Sequence, residues 1–148
     1  MYKSQNLRNK RVSLVNHFYA ITLTCKDRKS YFNSFPICAE AAKTIMACEQ
    51  GQLFKVIAFV LMPDHLHLII QLNGSLKLPD SIRAIKGRIA TSLRSFGVFG
   101  LWQKGYYEHL IRSEDDLKEQ VRYIIQNPIR AKLVTRVGEY PYWFCIWV

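Results

Sequence analysis

The amino-acid sequence predicts an α+β fold, with an antiparallel β-sheet and helices packed on one face, in a single domain. Segments that alternate apolar and polar residues, as β-strands do, are interleaved with segments whose apolar residues recur at helical spacing. Two of the strand segments are joined only by Pro63 and Asp64, which indicates a hairpin. The order strand, helix, hairpin, helix, strand, helix fits a ferredoxin-like arrangement best.

The first half of the chain supplies a strand, a helix and the hairpin. Residues 17–25, HFYAITLTC, alternate aromatic and β-branched residues and predict a strand. After Pro36, ICAEAAKTIMACEQ has helical spacing, and Gly51 is a typical residue at a helix C-terminus. LFKVIAFVLMP and HLHLIIQL then form the two strands of the hairpin.

The second half supplies two helices and a short strand. A helix over about 81–96, capped by Asp80 or Ser81, presents an apolar stripe to the core: Ile82, Ile85, Ile89, Leu93 and Phe96. YYEHLIR predicts a short strand. Ser113 caps a third helix whose first-turn acids suit the helix dipole, and Asn127-Pro128 ends that helix.

Size and composition indicate one folded domain over residues 1–148. Its first part, residues 1–16, is a basic arm. Nearly half of the 148 residues are hydrophobic, and no repeat or linker divides them. We expect a soluble, cytoplasmic protein without membrane association, because no apolar run approaches the ~20 residues of a membrane span and the start has no signal-peptide core. The four cysteines form no C-x-x-C pair, so we expect reduced thiols.

The charge balance points to a polyanionic partner. Twenty-one Lys and Arg face eleven Asp and Glu, which gives a net charge of +10 and a pI of about 9.6. Such an excess favours nucleic acid over a membrane surface, since no basic amphipathic anchor is evident. The alternative is that the charge serves solubility alone.

His65 and His67 are an unusual pair within an apolar strand. Because side chains alternate along a strand, the two imidazoles project to one face and Leu66, Leu68 and Ile70 to the other. Two imidazoles so placed could coordinate one metal ion. The alternative is a pair of surface histidines on a half-exposed strand.

Tyr123 lies off the core stripe of the third helix, and Asn127 lies one turn further on the same side. An amphipathic surface tyrosine is one interpretation. The other is a nucleophile: a phenol can attack a phosphodiester when a divalent cation polarises the phosphate. The two histidines and the amide oxygen of Asn127 could hold such a cation. The sequence therefore raises the hypothesis of a site that nicks and rejoins DNA.

Four elements in order resemble the REP-associated tyrosine transposases, a bacterial branch of the HUH single-tyrosine transposases. These are MPDHLH, a W-Q element, an E-H-x-I-R element and YIIQNP, and the resemblance runs from the first strand to Val134. It is weakest afterwards, where GEYPYWFCIWV lacks the W-x-x-S-S of the family. This departure concerns hairpin recognition and regulation, and it touches neither the histidines nor the tyrosine.

The resemblance implies a ferredoxin-like fold and a set of site residues. His65 and His67 would be ligands of Mg²⁺ or Mn²⁺, Tyr123 the nucleophile, and Asn127 a further polar ligand. His109 matches a family histidine, and either lies near the metal or is an ordinary core histidine. The family cleaves single-stranded DNA near short hairpins, becomes attached to the 5′ phosphate and leaves a 3′ hydroxyl. Bacterial, nucleoid-associated localisation and a possible homodimer are further expectations.

Candidate DNA contacts are basic residues that could bind phosphates without reading sequence: Lys3, Arg8, Lys10, Arg11, Arg83, Lys86 and Arg94. Trp102, Tyr106 and Tyr107 could stack on unpaired bases, although such aromatics are more often part of a core. Two other functions stay open. One is a binding module that grips folded DNA or RNA without cutting it, and the other is a metal-dependent hydrolase that uses activated water.

Overall fold

The computed structural model describes residues 16–147, so the basic candidates Lys3, Arg8, Lys10 and Arg11 lie outside the described residues. The strands are β1 (Phe18–Thr24), β2 (Lys55–Met62), β3 (His65–Gln71), β4 (Tyr107–Ile111) and β5 (Trp143–Cys145). The helices are α1 (Phe35–Gln50), α2 (Leu78–Ser92), α3 (Glu114–Ile125) and α4 (Asn127–Arg130). Within this part of the chain, no helix has the length and apolar character needed to cross a bilayer.

All five strands form one antiparallel sheet in the order β4-β1-β3-β2-β5. The first four strands have the ferredoxin-like order, which confirms the predicted α+β class. β5 adds an edge beside β2 and was not predicted, because three residues are too short to show a periodic pattern. α4 was also missed, since Asn127-Pro128 was interpreted only as a helix end. Pro128 instead occupies the first turn of a new helix, where its missing N–H is not needed.

The helices cover both faces of the sheet, which corrects the prediction of one covered face. α1 and α2 pack on the face that carries Tyr19, Ile21 and Leu23. α3 packs on the opposite face, against a second group of buried residues that includes Ala20 and Ile69. The physical reason lies in β2, where every residue after Lys55 is buried. A strand that is apolar on both sides requires cover on both sides.

α2 begins earlier than the sequence predicts and also ends earlier. Its first residue is Leu78, and the predicted cap Ser81 is buried within it, where its hydroxyl donates to the Lys77 carbonyl at 3.0 Å. At Leu93 the helix tightens into a 3-10 turn. A 3-10 helix has three residues per turn instead of about 3.6, so Phe96 no longer lines up with the apolar stripe of α2. Phe96 is 41% exposed, although it was predicted in the core.

α3 begins as predicted. The Ser113 hydroxyl accepts a hydrogen bond from the Asp116 backbone N–H at 3.0 Å, and three acids occupy the first turn. Its buried side chains are Leu117, Val121 and Ile124. The four cysteines are free and buried, in agreement with the sequence analysis.

We expect Leu117→Ala to lower the free energy of unfolding by about 2–4 kcal/mol, because it leaves a cavity between α3 and the sheet. Leu117 is 7% exposed, whereas Leu133 is 45% exposed, so Leu133→Ala should change stability by no more than about 0.5 kcal/mol. Urea denaturation of the two variants measures both values. Equal losses would contradict the packing of α3 on the second face.

Candidate active site

His65 and His67 lie on the sheet face that α3 covers. In β3 they share this face with Ile69, and in the register of the sheet they lie opposite Thr24 and Thr22 of β1. Their rings meet edge to face, with centroids 4.7 Å apart. The two Nε2 atoms are 3.2 Å from each other. The structure therefore brings the predicted pair together at one point.

Each histidine is oriented by a partner at its other ring nitrogen. The Nδ1 of His65 is 2.6 Å from Oδ1 of Asp64, and the Nδ1 of His67 is 3.1 Å from Oγ1 of Thr22. Since an ionised carboxylate can only accept, Nδ1 of His65 donates to Asp64. Such outer contacts are typical of metal-bound histidines. Neither partner was identified from the sequence, because Thr22 is brought in by the register of the sheet.

The spacing of the two Nε2 atoms suits a shared cation. Two ligands at about 2.1 Å from a metal and at a right angle to each other are about 3.0 Å apart. The observed separation is 3.2 Å. When both nitrogens are unprotonated, their lone pairs repel at this distance, and a cation bound between them removes that repulsion. The pair can thus supply two cis ligands of one metal ion.

The electrostatics of the pair favour the neutral, ligating form of His67. Burial, followed by the positive charges of His65 and Arg130, lowers the pKa of His67 to about 3. A metal ligand must be deprotonated, so His67 is ready to bind at neutral pH. Burial by itself would raise the pKa of Asp64, but the hydrogen bond and charge of His65, with the charge of Arg28, hold that pKa below its ordinary value.

A complete metal shell would need ligands of another type. Within residues 16–147, no cluster of three or more His, Cys, Asp or Glu side chains is arranged to hold a metal ion. Asn127 is half-buried at the start of α4, directly after the tyrosine helix. Its amide oxygen as a ligand remains a prediction.

The structure does not bring His109 to the histidine pair. His109 lies on β4 opposite Ala20, so β1 separates it from β3 by about two strand spacings, roughly 10 Å. Its Nε2 is 3.0 Å from Oδ2 of Asp116 in the first turn of α3. This contact joins the tyrosine helix to the sheet and fits the alternative of a structural histidine.

Tyr123 is 54% exposed near the end of α3, as the helical pattern predicts. The guanidinium of Arg130 lies over its ring, 3.9 Å from the centroid, and donates a hydrogen bond to the Tyr123 carbonyl. Arg130 is also close enough to His67 to lower its pKa. Arg130 therefore contacts Tyr123 directly and contributes positive charge to the surroundings of His67. Arg130 was not predicted as a site residue because it lies in α4, beyond the expected end of the tyrosine helix.

The three basic candidates within the described residues differ in their surroundings. Arg83 is exposed and forms an ion pair with Asp80 at 2.9 Å. Lys86 donates to the carbonyls of Gln103 and Gly105 at 3.1 and 3.2 Å, and burial lowers its pKa. Arg94 is exposed in the 3-10 turn after α2. Lys86 therefore braces a turn, and Arg83 and Arg94 remain candidates for phosphate contact.

A cleft of about 330 Å³, which we call the site cleft, lies beside Thr22, whose Oγ1 contacts Nδ1 of His67. Its lining includes Thr22 and Thr24, the register partners of His67 and His65. The remaining lining residues come from one segment: Gln103, Lys104, Gly105, Tyr106 and Tyr107. The cleft is of the size of small-ligand pockets, which begin at about 300 Å³.

Comparisons with known proteins identify a family and several relatives of this chain. The family model described as "Transposase IS200 like" matches residues 13–127. A Haemophilus influenzae protein provisionally named a REP-associated tyrosine transposase is 29% identical over 137 residues, covering 84% of this chain and 77% of its own. The Escherichia coli K12 REP-associated tyrosine transposase is 29% identical over 99 residues, covering 66% of this chain and 58% of its own.

The fold is shared with a solved structure. A REP-associated tyrosine transposase bound to a REP hairpin superposes with a TM-score of 0.77 at 24% identity, covering 97% of this chain and 81% of that one. At 24% identity, this similarity establishes a shared fold and nothing more specific.

Proposed function

The chain belongs to the IS200-like transposase family, and we propose that it nicks and joins single-stranded DNA near hairpins through a covalent 5′-phosphotyrosine intermediate. The observation that carries the proposal is the close approach of the Nε2 atoms of His65 and His67. The same chain exposes Tyr123, with the guanidinium of Arg130 over its ring. A pure binding module has no need of this combination.

The proposed reaction uses Tyr123 as the nucleophile. The phenol loses its proton, Oη forms a bond to the scissile phosphorus, and the bond from phosphorus to the 3′ oxygen breaks. That oxygen takes up a proton and leaves as a 3′ hydroxyl, so the 5′ phosphate stays on the tyrosine. Reversal of the step by another 3′ hydroxyl rejoins the strand.

We propose Mg²⁺ or Mn²⁺ as the cofactor, held by His65, His67 and the amide oxygen of Asn127. A divalent cation there would polarise the scissile phosphate and stabilise the charge that develops on it. Asp64 and Thr22 keep the two imidazoles in the ligating orientation. The neutral state of His67 makes its Nε2 available without loss of a proton.

Arg130 is proposed to act on the same reaction. From its position over the Tyr123 ring, the guanidinium can donate to an oxygen of a phosphate that the phenol attacks. A fixed cation at this position stabilises charge that grows as the phenol attacks.

The proposed partner is hairpin-bearing single-stranded DNA. The net charge of +10 suits a polyanion. The structural neighbour was solved with a REP hairpin, which provides the model for the DNA partner of this chain.

Tyr123→Phe should abolish covalent attachment to labelled single-stranded DNA that carries hairpins from the flanks of the gene, because the variant lacks the attacking oxygen. Denaturing gels with Mg²⁺ or Mn²⁺ detect the adduct on the 5′ side of the break. Tyr31→Phe, on the opposite sheet face, is the matched control. Cleavage that persists without an adduct would indicate a hydrolase, and tight binding without cleavage would indicate a binding module.

Asp64→Asn should weaken Mn²⁺ binding about 10- to 100-fold, because the orienting carboxylate of His65 is lost. Calorimetric titration of DNA-free protein with Mn²⁺ measures the affinity. Asp80→Asn removes an exposed carboxylate paired with Arg83 and serves as the control. An unchanged affinity in Asp64→Asn would argue against a metal ion at the histidine pair.

Arg130→Gln should slow adduct formation at saturating DNA about 100-fold, as expected for loss of one fixed charge that stabilises the transition state. Arg130→Lys should recover part of the rate because it keeps the charge. Single-turnover rates measure the effect, and DNA affinity measured with chelator present reports binding alone. A parallel loss of rate and affinity in Arg130→Gln would indicate a role in DNA binding.

A further inference from the structure

A second groove, which we call the helix groove, lies between α2 and the segment 102–106. Its volume is about 660 Å³. The lining residues that matter here are Ile82, Arg83, Gly87, Trp102, Lys104 and Tyr106. α2 belongs to the sheet face opposite the histidine pair, so this groove lies on the other side of the molecule from the proposed chemistry.

The helix groove and the site cleft share Lys104, Gly105 and Tyr106. These residues lead into β4, which is an edge strand of the sheet. The turn therefore forms a common wall at the sheet edge, with the histidine face on one side and α2 on the other. A chain molecule that leaves the site cleft over this turn enters the helix groove.

Hydrogen bonds between α2 and the segment 102–106 hold the shared wall in place. The ammonium of Lys86 donates to the carbonyls of Gln103 and Gly105, on either side of Lys104. The indole N–H of Trp102 donates to the Lys86 carbonyl at 3.0 Å. Gly105 has a φ of 84°, in the region that favours glycine. These contacts hold the turn against α2 and leave the side chain of Lys104 exposed.

The chemistry of the groove suits a flexible polyanion with flat apolar groups. Its lining contains Arg83, Lys86 and Lys104 and no carboxylate, together with the rings of Trp102 and Tyr106. Within residues 16–147, Lys104 makes no ion pair, so its charge is available to a ligand. At Gly87 an added Cβ would meet no atom within 4 Å, so the backbone of α2 lies open here along the groove. Basic grooves with aromatic surfaces are typical of single-strand binding sites.

We propose that the helix groove binds the single-stranded extension of the DNA substrate, with Lys104 contacting a phosphate as the strand rounds the sheet edge. The inference rests on the proposed function and adds a path for the DNA beyond the scissile phosphate. A single strand can follow this bend, whereas a duplex resists bending over about 50 nm.

Binding of Tyr123→Phe protein, which cannot cleave, tests the path. The short substrate contains only the hairpin and the scissile link. The extended substrates add a single-stranded extension to it, on the 5′ side in one and on the 3′ side in the other. We expect the extension on one side to tighten binding. Adding Lys104→Ala or Gly87→Gln should reduce this gain at least about threefold, since the first removes a phosphate contact and the second fills the groove.

The salt dependence identifies the contact. With the extended substrate, Lys104→Ala should lower the slope of log affinity against log salt by about 0.7, the value for one phosphate of a single strand. Lys55→Ala, the same charge change at an exposed position on β2, should keep both gain and slope. Gly87→Gln replaces a helical glycine with a better helix former, so its melting temperature should not fall.

The outcomes separate this inference from the proposed function. If neither extension tightens binding, or if the gain survives in both variants, the helix groove does not carry the strand. A third substrate with a longer duplex stem gives the comparison. The same conclusion follows if the variants reduce the gain in affinity from the longer stem and not the gain from the single-stranded extension. Adduct formation by the wild-type protein on the short substrate tests the proposed function independently of the groove.

Discussion

Burial of both faces of the β2–β3 hairpin is the constraint on which the rest of the molecule depends. Nearly every position of β2 is buried, so helices must cover the sheet from two sides. α1 and α2 take one face, and α3 takes the other. Because the histidines project from β3 to the α3 face, the same packing that completes the core also places the tyrosine helix on their side of the sheet. Stability and the candidate chemistry thus have a common origin.

Preorganisation distinguishes the histidine pair from two histidines that merely share a strand. Asp64 and Thr22 fix the rings, and burial keeps His67 neutral. A site prepared in this way has little conformational entropy to lose when a ligand arrives. Arg130 orders the surroundings of the tyrosine in a similar way. Its guanidinium contacts the Tyr123 ring, and its positive charge contributes to the lowered pKa of His67.

The parts of this arrangement that follow from local spacing could be predicted from the sequence. His65 and His67 on one face, Tyr123 off the core stripe and the Ser113 cap all depend on periodicity within one element. Thr22 and Arg130 could not be predicted, because strand register and the turn into α4 bring them into place. The cover on the second face and the exposure of Phe96 were missed for a related reason, since both depend on where one element meets another.

The anchoring of α3 determines how far Tyr123, the proposed nucleophile, can travel. The first turn is tied to the sheet through the Asp116 contact with His109, whereas Tyr123 lies near the opposite end of the helix. Seven residues of helix separate Asp116 from Tyr123, a lever of about 10 Å. A tilt of about 10° about the anchored turn would carry the tyrosine ring by about 2 Å, comparable to the bond made and broken at phosphorus. The docking angle of one helix thereby sets the reach of the phenol.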